Sequence, residues 1–298
     1  MVVKIQPTTI PQQYIFNVAG AAFLALTVAL AIRSSFVASY TPSCVLEAST
    51  SSGLALRHAS GALLEASELA NRVEGGGIGI PDRVAIVEAD HGRQATAMRV
   101  RFARLNPETV EARRQASGVH FLWRASLLDR ERTGCLGYRI QLPADFRTHV
   151  SGSLPGLEIR PAAGQSSRSA PETITVPIYW EPDGDISVRV SQRTGDSRQD
   201  RRFRLNASST RPRLATVRWV DVALQVTLNT PGASDGSVRV WLDGALKLEQ
   251  TGVKFYDAET MPERWWVDAR VTFVDETGAW VSAPNDSSIE LSDIAVHR

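Results

Sequence analysis

From residue 78 onward, short apolar runs alternate with clusters of glycine, proline, aspartate and asparagine. The clearest run covers residues 219–228, where Val220, Val222 and Leu224 alternate with polar or small residues. This period of two is typical of an antiparallel strand with one buried face and one solvated face. Runs of this kind, bounded by turn residues, predict ten strands: 83–88, 97–103, 119–125, 138–142, 173–180, 186–190, 219–228, 237–242, 267–274 and 289–296.

Between these runs the sequence has no helical pattern long enough for a crossover connection. Strands joined by turns instead of helices form antiparallel sheets. The dipeptides Asp235-Gly236 and Asp243-Gly244 stand where hairpin turns need a positive φ angle. We therefore predict an all-β fold, a jelly-roll β-sandwich, over residues 78–298.

The amino-terminal region has a different pattern, because the 19 residues 14–32 carry no charge. As a helix this stretch is roughly 28 Å long, close to the thickness of the bilayer core. We predict a single transmembrane helix within residues 14–38, preceded by a short tail of residues 1–13. A signal peptide cleaved after Ser39 is one alternative, and a buried helix is another.

Between residues 39 and 77, leucine and alanine recur at nearly helical spacing, as at Leu56, Leu63 and Leu69. We predict a short helical stalk between membrane and domain, which ends at the glycines of residues 75–77. A helix that binds a partner protein is the alternative. Since Cys44 lies in this segment and Cys135 lies in the domain, we do not expect the two cysteines to pair.

The composition excludes several classes of protein. The chain has 298 residues with 33 Lys and Arg against 32 Asp and Glu, so overall positive charge does not hold nucleic acid. Two cysteines are too few for a disulfide-rich scaffold or a four-cysteine zinc site. Phosphate-binding glycine loops, serine-hydrolase elbows and paired metal-binding histidines are absent from the sequence. We expect no nucleic-acid partner, no metal and no cofactor.

Positive charge is concentrated in one region. Residues 189–213 contain eight arginines and two aspartates. The period of two places Ser187, Arg189 and Arg193 on one face of a strand, with the intervening valines on the other. Such a face suits a polyanion whose carboxylates accept bidentate hydrogen bonds from arginine. A solvated edge hairpin, whose charges deter aggregation, explains the same residues.

His120 shares a strand face with Arg124 in the predicted strand 119–125. A histidine beside an arginine has its proton affinity lowered and can act as a general base or acid. A structural role for this histidine is the alternative.

Several short motifs stand in a definite order along the chain: 137–146, GSLPGL at 152–157, SVR at 187–189, 219–244 and 280–286. Their order resembles that of polysaccharide lyase family 14, the alginate- and glucuronan-lyase jelly rolls. The resemblance implies a jelly roll that acts on uronate polymers by β-elimination. This reaction needs a positive group for the carboxylate, a base for the C5 proton and an acid for the leaving oxygen.

This chain departs from the family at the reactive positions. The signature lysine of the family corresponds to Ser153, and its tyrosine pair falls near residues 201–205, which contain no tyrosine. The family's Ser-x-Arg motif is retained, and the base would have to come from elsewhere on the chain. The candidate catalytic residues are therefore Arg189, His120 and Tyr138. The candidate substrate-binding residues are Ser153, Ser187, Arg189, Arg193, Arg202 and Arg204.

These features predict a membrane-anchored envelope protein that binds, and in one version cleaves, an acidic uronate-containing polysaccharide. The expected location is the inner membrane, with a single span and the carboxyl-terminal domain in the periplasm; secretion after signal cleavage is the alternative. The expected partners are the polysaccharide, the lipid bilayer and other envelope proteins. A role in exopolysaccharide production or processing suits an anchored protein. The alternative function is a non-enzymatic interaction module of the envelope.

Overall fold

Alternating apolar and polar positions build two antiparallel sheets that enclose one hydrophobic core. The computed structural model describes the chain over these ranges: 51–89, 96–104, 118–146, 149–161, 173–182, 185–194, 197–204, 217–256 and 263–298. Within these ranges, three short helical segments accompany the strands: Ala66–Arg72, Ile80–Arg83 and the 3-10 turn Ser126–Leu128.

The first sheet has eight strands: β1 (Ser51–Gly53), β3 (Val84–Glu88), β4 (Thr96–Phe102), β6 (Thr133–Gln141), β11 (Trp219–Thr227), β12 (Gly236–Leu242), β13 (Ala245–Val253) and β15 (Ser287–His297). Their order is β13-β12-β11-β6-β15-β4-β3, and β1 pairs with β15 beside this path. The last strand therefore lies in the middle of the sheet, between β6 and β4.

The second sheet has seven strands: β2 (Glu74–Ile78), β5 (Gly118–Arg124), β7 (Gly152–Arg160), β8 (Thr173–Trp180), β9 (Ile186–Thr194), β10 (Ser197–Arg204) and β14 (Arg264–Phe273). Their order is β10-β9-β8-β7-β14-β5-β2. One face of this sheet packs on the core. The other, which we call the outward face, carries the polar positions of β7, β8, β9, β10, β14 and β5.

Large aromatic residues anchor the core between the sheets. The ring of Phe273 lies 5.0 Å from that of Phe102 and 5.3 Å from that of Trp180, both in edge-to-face geometry. Phe146 stacks on Phe273 at 5.8 Å. Such pairs contribute about 0.5–1.5 kcal/mol beyond the area that they bury. They join β4, β8 and β14 and so fix the two sheets against each other.

All ten predicted strands are confirmed, with ends that shift by a few residues. The structure adds five strands that the apolar pattern did not predict, namely β1, β2, β7, β10 and β13. The chain is an all-β sandwich, as predicted. The glycine-rich β2 and the arginine-rich β10 lack the usual apolar alternation, and cross-strand pairing alone makes them strands.

Residues 51–77 differ from the predicted helical stalk. Only Ala66–Arg72 is helical, and it begins with a capping box between Glu65 and Glu68. Leu56 and Leu69 are buried in the core of the sandwich, and Leu64 is also buried. Their spacing reflects packing against the sheets, and β1 and β2 extend both sheets from this segment.

Other predictions concern residues 1–50, which lie outside the described part of the chain. These include the transmembrane helix of residues 14–38, the cleavage after Ser39 and the environment of Cys44. Over the described ranges, no helix is long and apolar enough to cross a membrane. Cys135 takes part in a disulfide bond, which counts against the expectation that the two cysteines of the chain do not pair.

Candidate functional site

Most of the predicted site residues lie on the outward face of the seven-stranded sheet. On β9, Ser187, Arg189 and Arg193 point outward, while Val188 and Val190 are buried in the core. On β10, Arg202 stands opposite Arg189, and Arg204 stands opposite Ser187. The alternation predicted from the sequence therefore holds for this hairpin.

Ser153, at the position of the family's signature lysine, lies on the same face. In the register of the sheet Ser153 of β7 pairs with Tyr179 of β8, which in turn pairs with Ser187 of β9. The guanidinium of Arg189 lies over the ring of Tyr179, 4.6 Å from its centroid. The sequence analysis did not identify Tyr179 as a site residue. Its only signal in the sequence is its outward position on β8, the strand beside the Ser-x-Arg motif of β9.

A buried carboxylate, Glu181, lies next to Ser187. It accepts hydrogen bonds from the hydroxyls of Ser187 and Ser151 and forms an ion pair with Arg202. Glu181 is 7% exposed. The positive charge of Arg202 is therefore already balanced within the protein, which leaves it less available to a polyanion than the sequence predicts.

The turn that follows β14 covers the side chain of Arg189. Asp275 closes this turn by accepting hydrogen bonds from the backbone amides of Thr277 and Ala279, each 2.9 Å long. A β-carbon on Gly278 would lie 2.8 Å from Nη1 of Arg189, so the turn rests directly on that guanidinium. Ser153 and Ser187 are 0% and 1% exposed. The motif positions are thus closed to a polymer in this structure.

An open cleft lies beside these covered motif residues on the same face of the sheet. Its volume is about 270 Å³, and its lining is mostly polar. Six strands contribute to it: β5, β7, β8, β9, β10 and β14. The lining residues are His120, Leu122, Glu158, Arg160, Thr173, Thr175, Ser191, Arg193, Arg198 and Arg270.

A charged cluster forms the floor of the cleft. Nε2 of His120 lies 2.9 Å from Oδ1 of Asp268, and the other carboxylate oxygen of Asp268 lies 3.3 Å from Nη2 of Arg270. Asp268 is completely buried. Burial raises the pKa of Asp268, but Arg270 and His120 lower it by a larger amount, so the pKa lies below its ordinary value. In return, the charge of Asp268 raises the pKa of Arg270.

Glu158 forms the wall of the cleft next to this cluster. Nε of Arg160 contacts Oε1 of Glu158 at 2.5 Å. Burial and the charge of Asp268 raise the pKa of Glu158 despite this contact. Arg160 is held in turn by the indole of Trp266, whose ring centroid lies 4.5 Å from the Arg160 guanidinium.

Arg193 is the cleft cation best placed to meet an external anion. It is exposed, and among the described residues no carboxylate lies within 4 Å of it. By contrast, Arg160, Arg198 and Arg270 are each paired with a carboxylate of the protein. An unpaired arginine can form a bidentate contact with a carboxylate ligand without breaking an existing pair.

Tyr138 does not reach this face, which corrects its prediction as a catalytic residue. It lies on β6 of the other sheet and points into the core, where its hydroxyl donates to the carbonyl of Pro155 at 3.3 Å. Burial raises the pKa of its phenol. A residue in this position cannot contact a polymer on the outward face.

The cleft brings His120 together with three residues that the sequence reasoning missed: Glu158, Asp268 and Arg270. A usable signal existed for two of them. Asp268 and Arg270 interrupt the apolar strand 267–274 at outward positions, and a charge in such a strand is rarely placed without a partner. Their partner on β5 is set by sheet register and is not visible in the sequence.

The family model of polysaccharide lyase 14 matches residues 90–267, more than half of the chain. A search of curated proteins gives no match.

Several solved structures are similar in fold. The PL-14 alginate lyase from Aplysia kurodai has a TM-score of 0.58 at 16% identity, covering 84% of this chain and 99% of that chain. An alginate lyase from a Chlorella virus has a TM-score of 0.55 at 11% identity, covering 72% and 88%. The endo-β-1,4-glucuronan lyase from Trichoderma reesei has a TM-score of 0.51 at 15% identity, covering 76% and 89%. At these identities the likeness establishes the fold, and it is consistent with a jelly roll.

Proposed function

Because this chain belongs to polysaccharide lyase family 14, we propose that its sandwich binds an acidic, uronate-containing polysaccharide. The observation that carries the proposal is the open cleft on the outward face, lined by Arg193, which is exposed and has no carboxylate partner among the described residues. Structural neighbours of the chain are alginate and glucuronan lyases, whose named substrates are polymers of this class. A carboxylate on each sugar would meet arginine in the cleft.

Binding is better supported than cleavage at the positions of the family motif. Ser153 replaces the signature lysine, and a hydroxyl cannot neutralise a carboxylate. The expected tyrosine pair is replaced by arginines, of which Arg202 is paired with Glu181. Arg189 is retained but lies beneath the turn that contains Gly278. These features support a glycan-binding role whose site is the cleft.

The proposal includes anchoring to the inner membrane through residues 14–38, with the sandwich in the periplasm. Support comes from the length of the uncharged stretch and from the disulfide of Cys135, since disulfides persist in oxidising compartments. An anchored glycan-binding domain suits exopolysaccharide production or processing, in contact with other envelope proteins.

The anchor is tested by mass spectrometry of the chain recovered from the membrane fraction of cells that produce it. We expect the mature protein to retain residues 1–38, because an uncleaved helix of this length spans the bilayer. A mature amino terminus immediately after Ser39, with the protein in the soluble fraction, would establish secretion instead.

Binding is tested by replacing Arg193, which lines the cleft. Arg193→Ala is expected to weaken binding of alginate or glucuronan by about tenfold, because a charge-assisted hydrogen bond contributes about 1.5–3 kcal/mol. The measurement is isothermal titration calorimetry on the full-length chain. The loss should shrink as salt is raised, since salt screens exposed charges.

The matched control is Arg201→Ala. Arg201 lies on β10 of the same hairpin and is exposed, but it stands opposite Val190 and therefore on the other face of the sheet. Both variants remove one positive charge. Equal weakening in the two would show that only net charge matters and would contradict the cleft. If neither polymer binds the wild-type chain, the interaction module of the envelope becomes the better function.

A further inference from the structure

The eight-stranded sheet has a shielded patch on its outer face, the face that is turned away from the core. On this face Cys135 of β6 stands between Gln225 of β11 and His297 of β15. Trp241 of β12 lies nearby and forms with Cys135 a small apolar cluster that is separate from the main core. We call these four side chains, Cys135, Gln225, Trp241 and His297, the shielded patch.

The patch is covered, although the outer face of a two-layer antiparallel sandwich is normally solvated. Cys135, Trp241, Gln225 and His297 are 2%, 4%, 5% and 6% exposed. Nε1 of Trp241 and both ring nitrogens of His297 are shielded from solvent as well, and burial lowers the pKa of His297. The three described helical segments pack mainly against strands other than β6, β11 and β12. The cover of the patch therefore comes from another part of the chain.

The disulfide of Cys135 identifies that part. The only other cysteine of the chain is Cys44, which lies seven residues before Ser51, the first residue of β1. The compact unit that contains the sandwich also begins at Cys44. Both observations indicate the segment of residues 44–50.

The position of β1 brings this segment to the patch. Ser51 pairs with His297, which pairs on its other side with Cys135. Since neighbouring strands lie about 4.8 Å apart, Ser51 is about 10 Å from Cys135 across β15. Seven residues span up to about 25 Å, and the Cα atoms of a disulfide lie within about 7 Å of each other. Cys44 is therefore within reach of Cys135.

The composition of the segment suits an apolar surface. Residues 45–50 read VLEAST and carry a single charge. Val45 and Leu46 follow Cys44 directly, so two apolar side chains stand next to the residue that the disulfide would hold beside Trp241. A segment of this kind removes apolar area from water when it covers the patch.

We propose that residues 44–50 dock on the outer face of the eight-stranded sheet, cover the shielded patch and are held there by a disulfide between Cys44 and Cys135. Forming the bond takes two protons and two electrons from the two thiols, and a protein disulfide of an oxidising compartment accepts them and becomes a dithiol. The inference does not depend on the proposed function, because the cleft lies on the other sheet.

The bond changes the connection between the sandwich and the predicted membrane helix. In an anchored chain the disulfide leaves residues 39–43 as the link between residues 14–38 and the sandwich. Reduction extends this link to residues 39–50 and uncovers the patch. The segment is thus a covalent strap in place of the predicted helical stalk.

The bond is tested on the full-length chain, isolated without reductant and with free thiols alkylated. Trypsin cuts after arginine and lysine, which places Cys44 in peptide 34–57 and Cys135 in peptide 133–139. We expect mass spectrometry to find these peptides joined in a protein of monomer mass and separated after reduction. Alkylated Cys44 would overturn the proposal. A joined pair found only at twice the monomer mass would also overturn it and assign the bond to a second copy.

Docking is tested by hydroxyl-radical footprinting, which oxidises side chains according to their exposure. The measured quantity is the oxidation of Trp241 relative to that of Trp180, a core residue that is 1% exposed. This ratio should rise several-fold in Cys44→Ser, because the segment detaches without its bond. Dithiothreitol should produce the same rise in the wild type and no further rise in Cys44→Ser. The matched control is Ser43→Ala, which keeps the bond and should keep the wild-type ratio.

The other outcomes are equally decisive. An unchanged ratio in Cys44→Ser would show that something other than the bonded segment covers the patch. A ratio that is already high in the wild type would show that the patch is solvated. Either result overturns the docking. Binding of alginate and glucuronan should be equal in the wild type and Cys44→Ser, so a failure of the docking is distinguishable from a failure of the proposed function.

Discussion

Replacing Gly156 with alanine is expected to lower the free energy of unfolding by about 3 kcal/mol, the upper range for overpacking a core. A β-carbon at this position would lie 2.3 Å from the carbonyl oxygen of Val176 and 2.4 Å from the Cα atom of Pro177. Both atoms belong to the backbone of β8, so a change of rotamer cannot relieve the contact. The strands β7 and β8 would have to move apart.

The measurement is chemical unfolding of the full-length chain, followed by tryptophan fluorescence. Gly53→Ala is the control, because a β-carbon there would meet Ile294 at an ordinary 3.6 Å. It should change stability by less than about 0.5 kcal/mol, as surface substitutions usually do. If both variants were equally stable, the close approach of β7 and β8 would be refuted.

Gly156 also shows why one family motif persists where its chemistry does not. Gly152 and Gly156 belong to the GSLPGL segment, and a β-carbon on Gly152 would lie 1.7 Å from the indole of Trp180. Both glycines are required by packing against β8. Ser153 between them occupies the reactive position and is itself 0% exposed.

The second large effect is expected at Asp268. Asp268→Ala should lower the free energy of unfolding by about 3–5 kcal/mol, because it leaves the buried charge of Arg270 without its partner. The control is Asp221→Ala, which removes an aspartate from an exposed pair with Arg139 in which the Asp221 side chain is 64% exposed. Such surface pairs contribute about 0–1 kcal/mol.

The difference between wild type and Asp268→Ala should depend on pH. Burial raises the pKa of Asp268. Arg270 and His120 lower this pKa by more, so it lies below its ordinary value. A lowered folded-state pKa contributes stability that is present above the unfolded pKa of about 4 and is lost as the pH falls through the folded value.

Unfolding curves for both proteins from pH 7 down to about 3 test this dependence. The stability difference should be full at neutral pH and shrink below about pH 4. A difference that is constant over this range would show that Asp268 is not ionised in the folded protein. A loss no larger than that of Asp221→Ala would show that Arg270 does not depend on it.

The strands were predictable because their signal is local. In β11, Val220, Val222 and Leu224 alternate with residues of the other face, and the period of two requires no knowledge of neighbouring strands. The outward direction of Arg189 and Arg193 followed from the same alternation. By contrast, β2 contains three consecutive glycines with positive φ angles, and only its pairing with β5 makes it a strand.

Tyr138 illustrates what alternation cannot decide. Its place in the alternation of β6 assigns it to one face of that strand. Which of the two faces meets the core depends on which side of the sheet the other sheet covers. His120 and Asp268 illustrate the same limit for chemistry. They meet because β5 and β14 are neighbours in the sheet, and sheet neighbours are chosen by the packing of the whole domain.

The sequence by itself determined the all-β class, the strands with clear alternation, the family and the arginine-rich hairpin, because each depends on residues close together in the chain or on their order. Only the tertiary structure decided that the motif positions are covered, that Arg202 is paired with Glu181, and that a cleft opens around His120. These properties depend on contacts between distant strands, and such contacts form only when the two sheets have closed on one core.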